Sequence, residues 1–128
     1  MAKELISRDQ VRVEDTWDLT AMYADKSAWE EDVKFIEDKM SEIAKYQGKV
    51  CESAENLLAV LELSAITEEK FERAFNYAER IFDQDQGNTE HQSMSQRMFG
   101  LYAKLGAAAS FISLPACLCI FTALLYNE

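Results

Sequence analysis

Residues 89–112 read "TEHQSMSQRMFGLYAKLGAAASFI" and carry the most regular hydrophobic pattern in this chain of 128 residues. Its apolar positions recur at alternating steps of three and four through three heptads, which places them on one face of an α-helix. The pattern predicts a long helix over 89–112 that packs parallel or antiparallel to another helix. This stripe consists of His91, Met94, Met98, Leu101, Leu105, Ala108 and Ile112.

A first helix is predicted upstream, over residues 28–46. Ser27 and Glu30 have the spacing of a capping box, and Gly48 is suited to the turn after the helix end. The apolar residues follow at steps of four, three, four and three, so this helix also has one buried face. That face is formed by Trp29, Val33, Ile36, Met40 and Ile43.

Two further helices are predicted at 54–63 and 65–86. Ser53 is the candidate cap of the earlier one, and Thr67 stands near the start of the later one. No strong breaker lies between them, so a single kinked helix is the alternative. The buried stripe of the later helix contains Phe71, Phe75 and Phe82.

The fold class predicted from these patterns is all-α. No segment alternates strictly between polar and apolar residues, and the chain contains only 4 glycines and 1 proline. Short connections near 47–53 and 86–89 make successive helices antiparallel neighbours. We therefore expect an antiparallel bundle of about four helices over 27–112.

The first 26 residues show no sustained period and are interpreted as an irregular, extended N-terminal arm. Trp17 is too apolar for a solvated arm. Trp17 and Leu19 project to the same side of an extended chain, so we expect them to anchor the arm on the helices. This role is one of positioning and involves no chemistry.

The charge of the chain excludes one class of partner. The chain has 23 acidic and 13 basic residues, a net charge of −10, and 22 of the acids lie in residues 1–90. Nucleic-acid binding requires a basic surface, so no nucleic-acid partner is expected. No signal peptide is visible, and 3 cysteines do not form a disulfide framework, so we expect a reducing, cytoplasmic location.

No catalytic or metal-ligating residue is predicted in this chain. His91 is the single histidine, so H-E-x-x-H, the ligand pair and base of many metallopeptidases, is absent. Cys117 and Cys119 form only half of a possible metal site. The row of phenylalanines on the third predicted helix is interpreted as core rather than as a ligand site.

Several motifs together resemble the N-terminal region of oligoendopeptidase F, a zinc metallopeptidase family that cleaves oligopeptides. These motifs are "TWDLT" at 16–20, "SAWEE" at 27–31, "YQGKVCESAENLL" at 46–58 and "MFGLYAKLGAAASFI" at 98–112. The third is similar to the family pattern Y-x-G-K-x-x-x-S-A-x-x-L-L. The resemblance extends over about residues 5–112.

The resemblance implies a helical wall of the cleft above the zinc site, which limits access to short peptides. Zinc is implied for the full-length family and not for this chain, because no position here matches a zinc ligand or the catalytic glutamate. The implied partners are a missing catalytic domain and, in the full-length protein, an oligopeptide substrate. Apolar surface that the catalytic domain would cover is expected to promote self-association.

The resemblance ends after Ile112. Residues 113–128 are interpreted as an apolar tail that is not native to the domain, through truncation or a frameshift. Two alternatives stay open. The stripe over 91–112 is suited to a free-standing module that binds a partner helix, and the uncharged segment 105–126 has the length of a membrane anchor.

Overall fold

The computed structural model describes residues 8–126, with side chains described from 8 to 112. Within that range the chain is all-helical, as predicted, and contains no strand. The long helices are α1 (Lys26–Ala44), α2 (Ala54–Gln84) and α3 (Thr89–Tyr126). Short 3₁₀ turns precede them at Arg8–Gln10, Val13–Asp15 and Leu19–Ala21.

The described residues thus form three long helices, and the prediction of about four is wrong. The helices expected at 54–63 and 65–86 are one continuous helix, α2. Thr67 lies inside it, fully buried, and its hydroxyl donates to the carbonyl oxygen of Leu63 at 2.6 Å. That bond satisfies the hydroxyl within the helix, so a residue that favours caps does not interrupt α2 here.

The first helix begins two residues earlier than its sequence pattern predicts. The cap is Asp25, which has extended backbone angles and accepts a hydrogen bond from the amide of Ala28 at 3.0 Å. Ser27 is already within the helix, so the predicted capping box with Glu30 is wrong. A carboxylate at this end also interacts favourably with the helix dipole.

The other two helix starts follow from short polar side chains. Ser53 accepts from the amide of Asn56 at 3.1 Å, as predicted for the start of α2. Asn88 accepts from the amide of Glu90 at 2.9 Å and begins α3. Before α2, Gly48 adopts φ 79°, a left-handed conformation that favours glycine and turns the chain after α1.

The order of contacts along the helices establishes the topology. The indole Nε1 of Trp29 donates to the carbonyl oxygen of Ala74 at 2.9 Å, and Lys70 pairs with Asp32, so α1 and α2 run antiparallel. The rings of Phe75 and Phe99 are in contact, as are those of Phe71 and Tyr102. α3 is therefore antiparallel to α2 and parallel to α1.

One hydrophobic core lies between the three helices. α1 contributes Trp29, Val33, Ile36 and Ile43, all fully buried, while Met40 is partly buried against them. α2 contributes chiefly Val60, Phe71, Ala74 and Ala78, with Phe75 partly buried, and α3 contributes Met94, Met98, Leu101, Leu105 and Ile112. Phe82 is half-buried and lies outside this core, near the end of α2, where Ile81 packs inward instead.

The C-terminal part of α3 extends beyond the predicted end at residue 112, and its backbone is helical to Tyr126. Side chains after residue 112, including those of the proposed tail, lie outside the described part of the chain. No helix of the described residues is long and apolar enough to cross a membrane. Cys51 is disulfide-bonded, which differs from the expectation for the cysteines.

Candidate functional site

The N-terminal arm is attached to the helices mainly through Tyr23. This side chain is only 5% exposed, and its ring meets that of Tyr77 edge-on with 5.1 Å between centroids. The guanidinium of Arg73 lies 4.8 Å from the Tyr23 ring and donates two hydrogen bonds, at 3.0 and 2.6 Å, to the carbonyl oxygen of Met22. The sequence pattern alone did not identify Tyr23 as an anchor.

The structure separates the two predicted anchor residues, Trp17 and Leu19. Leu19 packs against the core, but the Trp17 side chain is 66% exposed. Asp18 accepts from the backbone of Thr20 and starts a 3₁₀ turn, so the chain is not extended there. The carbonyl oxygen of Trp17 accepts from the Gln84 side chain at 3.2 Å, so its backbone also contacts α2.

An open groove of about 310 Å³ lies beside Trp17 at the end of α2. Arg80 places its guanidinium 5.8 Å from the indole ring, and Arg8 lines the same groove. Asp15 and Asp83 line it too, and Asp83 pairs with Arg80 at 2.9 Å. The two cations are thus balanced by two carboxylates, and the groove shows no preference for a charged ligand.

A polar network joins the arm, α1 and α2 at Asp32. This carboxylate accepts from the Tyr23 hydroxyl at 2.8 Å and from the Lys70 ammonium at 2.5 Å, and the ammonium lies 5.0 Å from the Phe35 ring centroid. Burial raises the pKa of Asp32, but the hydrogen bonds from Lys70 and Tyr23 outweigh it, so the pKa is lower than usual. Burial and the bond to Asp32 raise the pKa of Tyr23. Both carboxylate oxygens are engaged, so the network positions helices rather than transferring protons.

Arg97 connects α3 to α1. Its guanidinium pairs with Glu30 at 2.6 Å and Glu37 at 3.7 Å, and lies 5.6 Å from the ring centroid of Trp29. These charges are about 40% exposed, so each pair contributes little to stability. Their effect is to orient α3 over the Trp29 side of the core.

The most distinctive surface is a cluster of four rings, here called the aromatic face, in which the exposed Phe99 and Tyr102 lie against the more buried Phe71 and Phe75. Phe75 and Phe99 meet edge-on at 5.2 Å, and Phe71 lies 5.7 Å from Phe75 and 5.9 Å from Tyr102. Phe99 is 55% exposed and Tyr102 64% exposed, although both are large and apolar. Exposed apolar clusters of this kind mark interfaces.

The sequence carries a second apolar stripe on α3 that corresponds to this face. Phe99 and Tyr102 each follow a core residue by one position, Met98 and Leu101. They therefore repeat the core spacing about 100° further around α3 and form a second apolar stripe. The core stripe itself is covered within the chain by α1 and α2, so it is not free to bind a partner helix.

The described residues do not fit a zinc ion. No three His, Cys, Asp or Glu side chains among them come together in a way that would hold a metal. His91 is half-buried at the start of α3, and its Nδ1 is buried with no hydrogen-bond partner in the described part of the chain. Cys117 and Cys119 lie outside the described side chains.

Comparison with known proteins supports the resemblance given by the motifs. Oligopeptidase PepF of Bacillus subtilis is 29% identical over 111 residues, which are 87% of this chain and 17% of that protein. An oligoendopeptidase F homolog of Lactococcus lactis is 28% identical over 106 residues, 82% of this chain and 18% of the relative. The chain is similar to oligoendopeptidase F.

The similarity to oligoendopeptidase F extends to a third relative and has a defined limit. Group B oligopeptidase PepB of Streptococcus agalactiae is 26% identical over 105 residues, again 82% of this chain and 18% of the relative. The chain thus spans less than a fifth of the length of these oligopeptidases. No family model matches the chain, and no solved structure does.

Proposed function

We propose that this chain is the N-terminal helical part of an oligoendopeptidase F-like zinc metallopeptidase, and that it shapes the substrate cleft without performing the chemistry. The observation that carries this proposal is the extent of the similarity. The match includes 82–87% of this chain but only 17–18% of each oligopeptidase. The three-helix unit therefore corresponds to a small part of a much larger enzyme.

The absence of a catalytic motif from the sequence supports a non-catalytic role. Zinc peptidases of the H-E-x-x-H type need two histidine ligands one helical turn apart and a glutamate base. The single histidine, His91, is followed by Gln92, and residue 95 is Ser95. We propose that the zinc ligands and base belong to another part of the enzyme and that this chain alone is inactive.

The structure suggests how a non-catalytic part would contribute. A fully buried core around Trp29, Ile36 and Met98 makes the three helices a preformed unit. A preformed wall limits the width of a cleft and so selects short peptides without contacting the scissile bond. We extend the proposal to an enzyme acting on oligopeptides, because the relatives are named as oligopeptidases.

A chimera provides the direct test. In this chimera, the matched 111-residue segment of the Bacillus subtilis oligopeptidase is replaced by this chain. We expect it to hydrolyse a quenched fluorescent oligopeptide, whereas the relative without its segment and this chain alone, each with added zinc, do not. Zinc-dependent cleavage by this chain alone would contradict the non-catalytic role. A folded chimera as inactive as the truncated relative would contradict the structural role.

A further inference from the structure

The aromatic face lies on the side of the α2–α3 pair that is turned away from α1. Arg97 contacts α1, and Phe99 stands about 200° around α3 from it, at 100° per residue. Phe99 and Tyr102 remain more than half exposed, while their rings are held against Phe75 and Phe71. The surface is therefore preformed and uncovered by the described residues.

The apolar surface continues along the line where α2 and α3 meet, here called the seam. A second, shallow cavity of about 280 Å³ is lined by Leu61, Ala65, Ala109 and Ile112 among others. From Leu61 to Phe75 the seam extends roughly 21 Å along α2, at 1.5 Å per residue. That length corresponds to about four turns of a helix lying in the shallow groove that α2 and α3 form along this seam.

Gly106 leaves room for a close approach to this surface. It lies one helical turn after Tyr102, and a Cβ at this position would meet nothing within 4 Å. Glycine destabilises a helix interior relative to alanine, so the isolated chain gains nothing from it. A neighbouring helix can approach α3 more closely at a residue without a side chain.

Charge distinguishes the two edges of the groove. Glu68 lines the second cavity, and Glu72 lies one turn further along the α2 edge, both exposed. The α3 edge carries Ala103 and Ser110, which are neutral. A helix that fits this groove therefore carries basic side chains along the flank that faces α2 and apolar side chains on the face that packs into the groove.

We infer that the aromatic face and the groove beside it bind one amphipathic helix, with aliphatic or aromatic side chains on one face and lysine or arginine along one flank. This helix belongs to the part of the full-length enzyme outside the matched segment, so the inference depends on the proposed function. The relatives supply the necessary length, since more than four-fifths of each lies outside the match.

A second copy of this chain is a less suitable occupant. In a two-fold symmetric dimer the same surface patch meets itself, and a two-fold axis that crosses the groove brings the acidic α2 edges of the two copies together. Glu68 and Glu72 then repel their counterparts, and the net charge of −10 adds to the repulsion. A segment with a basic flank has no such penalty.

The glycines of α3 allow a matched test in the chimera described above. Gly100 also has open space around it but stands about 120° around the helix from Gly106, away from the groove. In the free chain we expect Gly106→Ala and Gly100→Ala to raise the melting temperature similarly. In the chimera, Gly100→Ala retains peptidase activity, whereas Gly106→Ala lowers activity at least tenfold or lowers the melting temperature.

Hydroxyl-radical footprinting supplies a readout besides activity. We expect oxidation of Phe99 and Tyr102 in the free chain and at least fivefold protection in the chimera. If the chimera is active, both rings are oxidised as in the free chain and the Gly100→Ala and Gly106→Ala variants behave alike, the docking site is refuted and the proposed function stands. If the chimera is inactive with and without each alanine substitution, both the docking site and the proposed function are refuted. Protection of the rings in the free chain, together with a dimer in sedimentation, would identify a second copy as the occupant and refute the inference.

Discussion

The attachment of the N-terminal arm gives the most discriminating prediction about stability. Two aromatic residues are candidates, and the structure treats them oppositely, since Tyr23 is 5% exposed and Trp17 is 66% exposed. We therefore expect Tyr23→Ala to destabilise the protein strongly and Trp17→Ala to have little effect. Tyr23→Phe separates the contribution of the ring from that of the hydroxyl.

The magnitudes follow from burial and hydrogen bonding. Removing a buried aromatic ring costs about 3–5 kcal/mol of the free energy of unfolding. Tyr23 lies at the edge of the core, so we expect about 3 kcal/mol for Tyr23→Ala. Tyr23→Phe removes a 2.8 Å hydrogen bond to the charged Asp32, which we expect to cost about 1–2 kcal/mol. Trp17→Ala removes little buried area and should cost under about 1 kcal/mol.

Urea unfolding followed by circular dichroism at 222 nm measures these differences. A change in the midpoint at constant slope reports stability alone. Amide hydrogen exchange in residues 8–22 should accelerate in Tyr23→Ala, because the arm loses its contact with α2. If Trp17→Ala proves as destabilising as Tyr23→Ala, the arm is anchored through the indole and the structural argument fails.

Three further predictions concern the start of α1, the loss of stability at acid pH and the exposed surface of α3. Asp25→Ala should cost about 1 kcal/mol and Ser27→Ala only a few tenths in thermal unfolding, and equal effects would show that Asp25 is not the cap. The pKa of Asp32 is lower in the folded state, so its contribution to stability is present above its ordinary pKa of 3.8 and is lost as the pH falls through the folded value. Asp32→Asn should therefore reduce the loss of stability below about pH 5. An unchanged dependence of the free energy of unfolding on pH would contradict this prediction. In the free chain, Gly100→Ala and Gly106→Ala should each add about 0.5–1 kcal/mol, and a loss of stability with Gly106→Ala would mean that its surroundings are not open.

The course of α2 illustrates where sequence reasoning was limited. Its apolar pattern weakens around residues 62–66, and Thr67 is a residue type that favours helix caps. The structure keeps the helix intact because the Thr67 hydroxyl bonds to the carbonyl oxygen of Leu63 and the side chain is buried. Whether such a residue ends a helix depends on its tertiary surroundings.

The start of α1 reflects a competition that spacing alone does not resolve. Asp25 and Ser27 are both good capping residues, and the pair of Ser27 with Glu30 has the more familiar pattern. The carboxylate of Asp25 accepts the first free amide, and the helix begins before Ser27 is reached. The extended backbone of Asp25, which aims its carboxylate at the amide of Ala28, distinguishes the two residues.

The helical class of the chain, its similarity to oligoendopeptidase F and the stripes suited to burial are all predictable from the sequence, because helical periodicity and capping are properties of neighbouring residues. Which aromatic residues are covered depends on the tertiary structure. Trp29 is enclosed by α2 and α3, whereas Phe99 and Tyr102 on a second stripe of α3 face outward and Trp17 is 66% exposed. The physical reason is that burial depends on what packs against a helix face from elsewhere in the chain, and a local pattern gives that face its apolar character without specifying its neighbour.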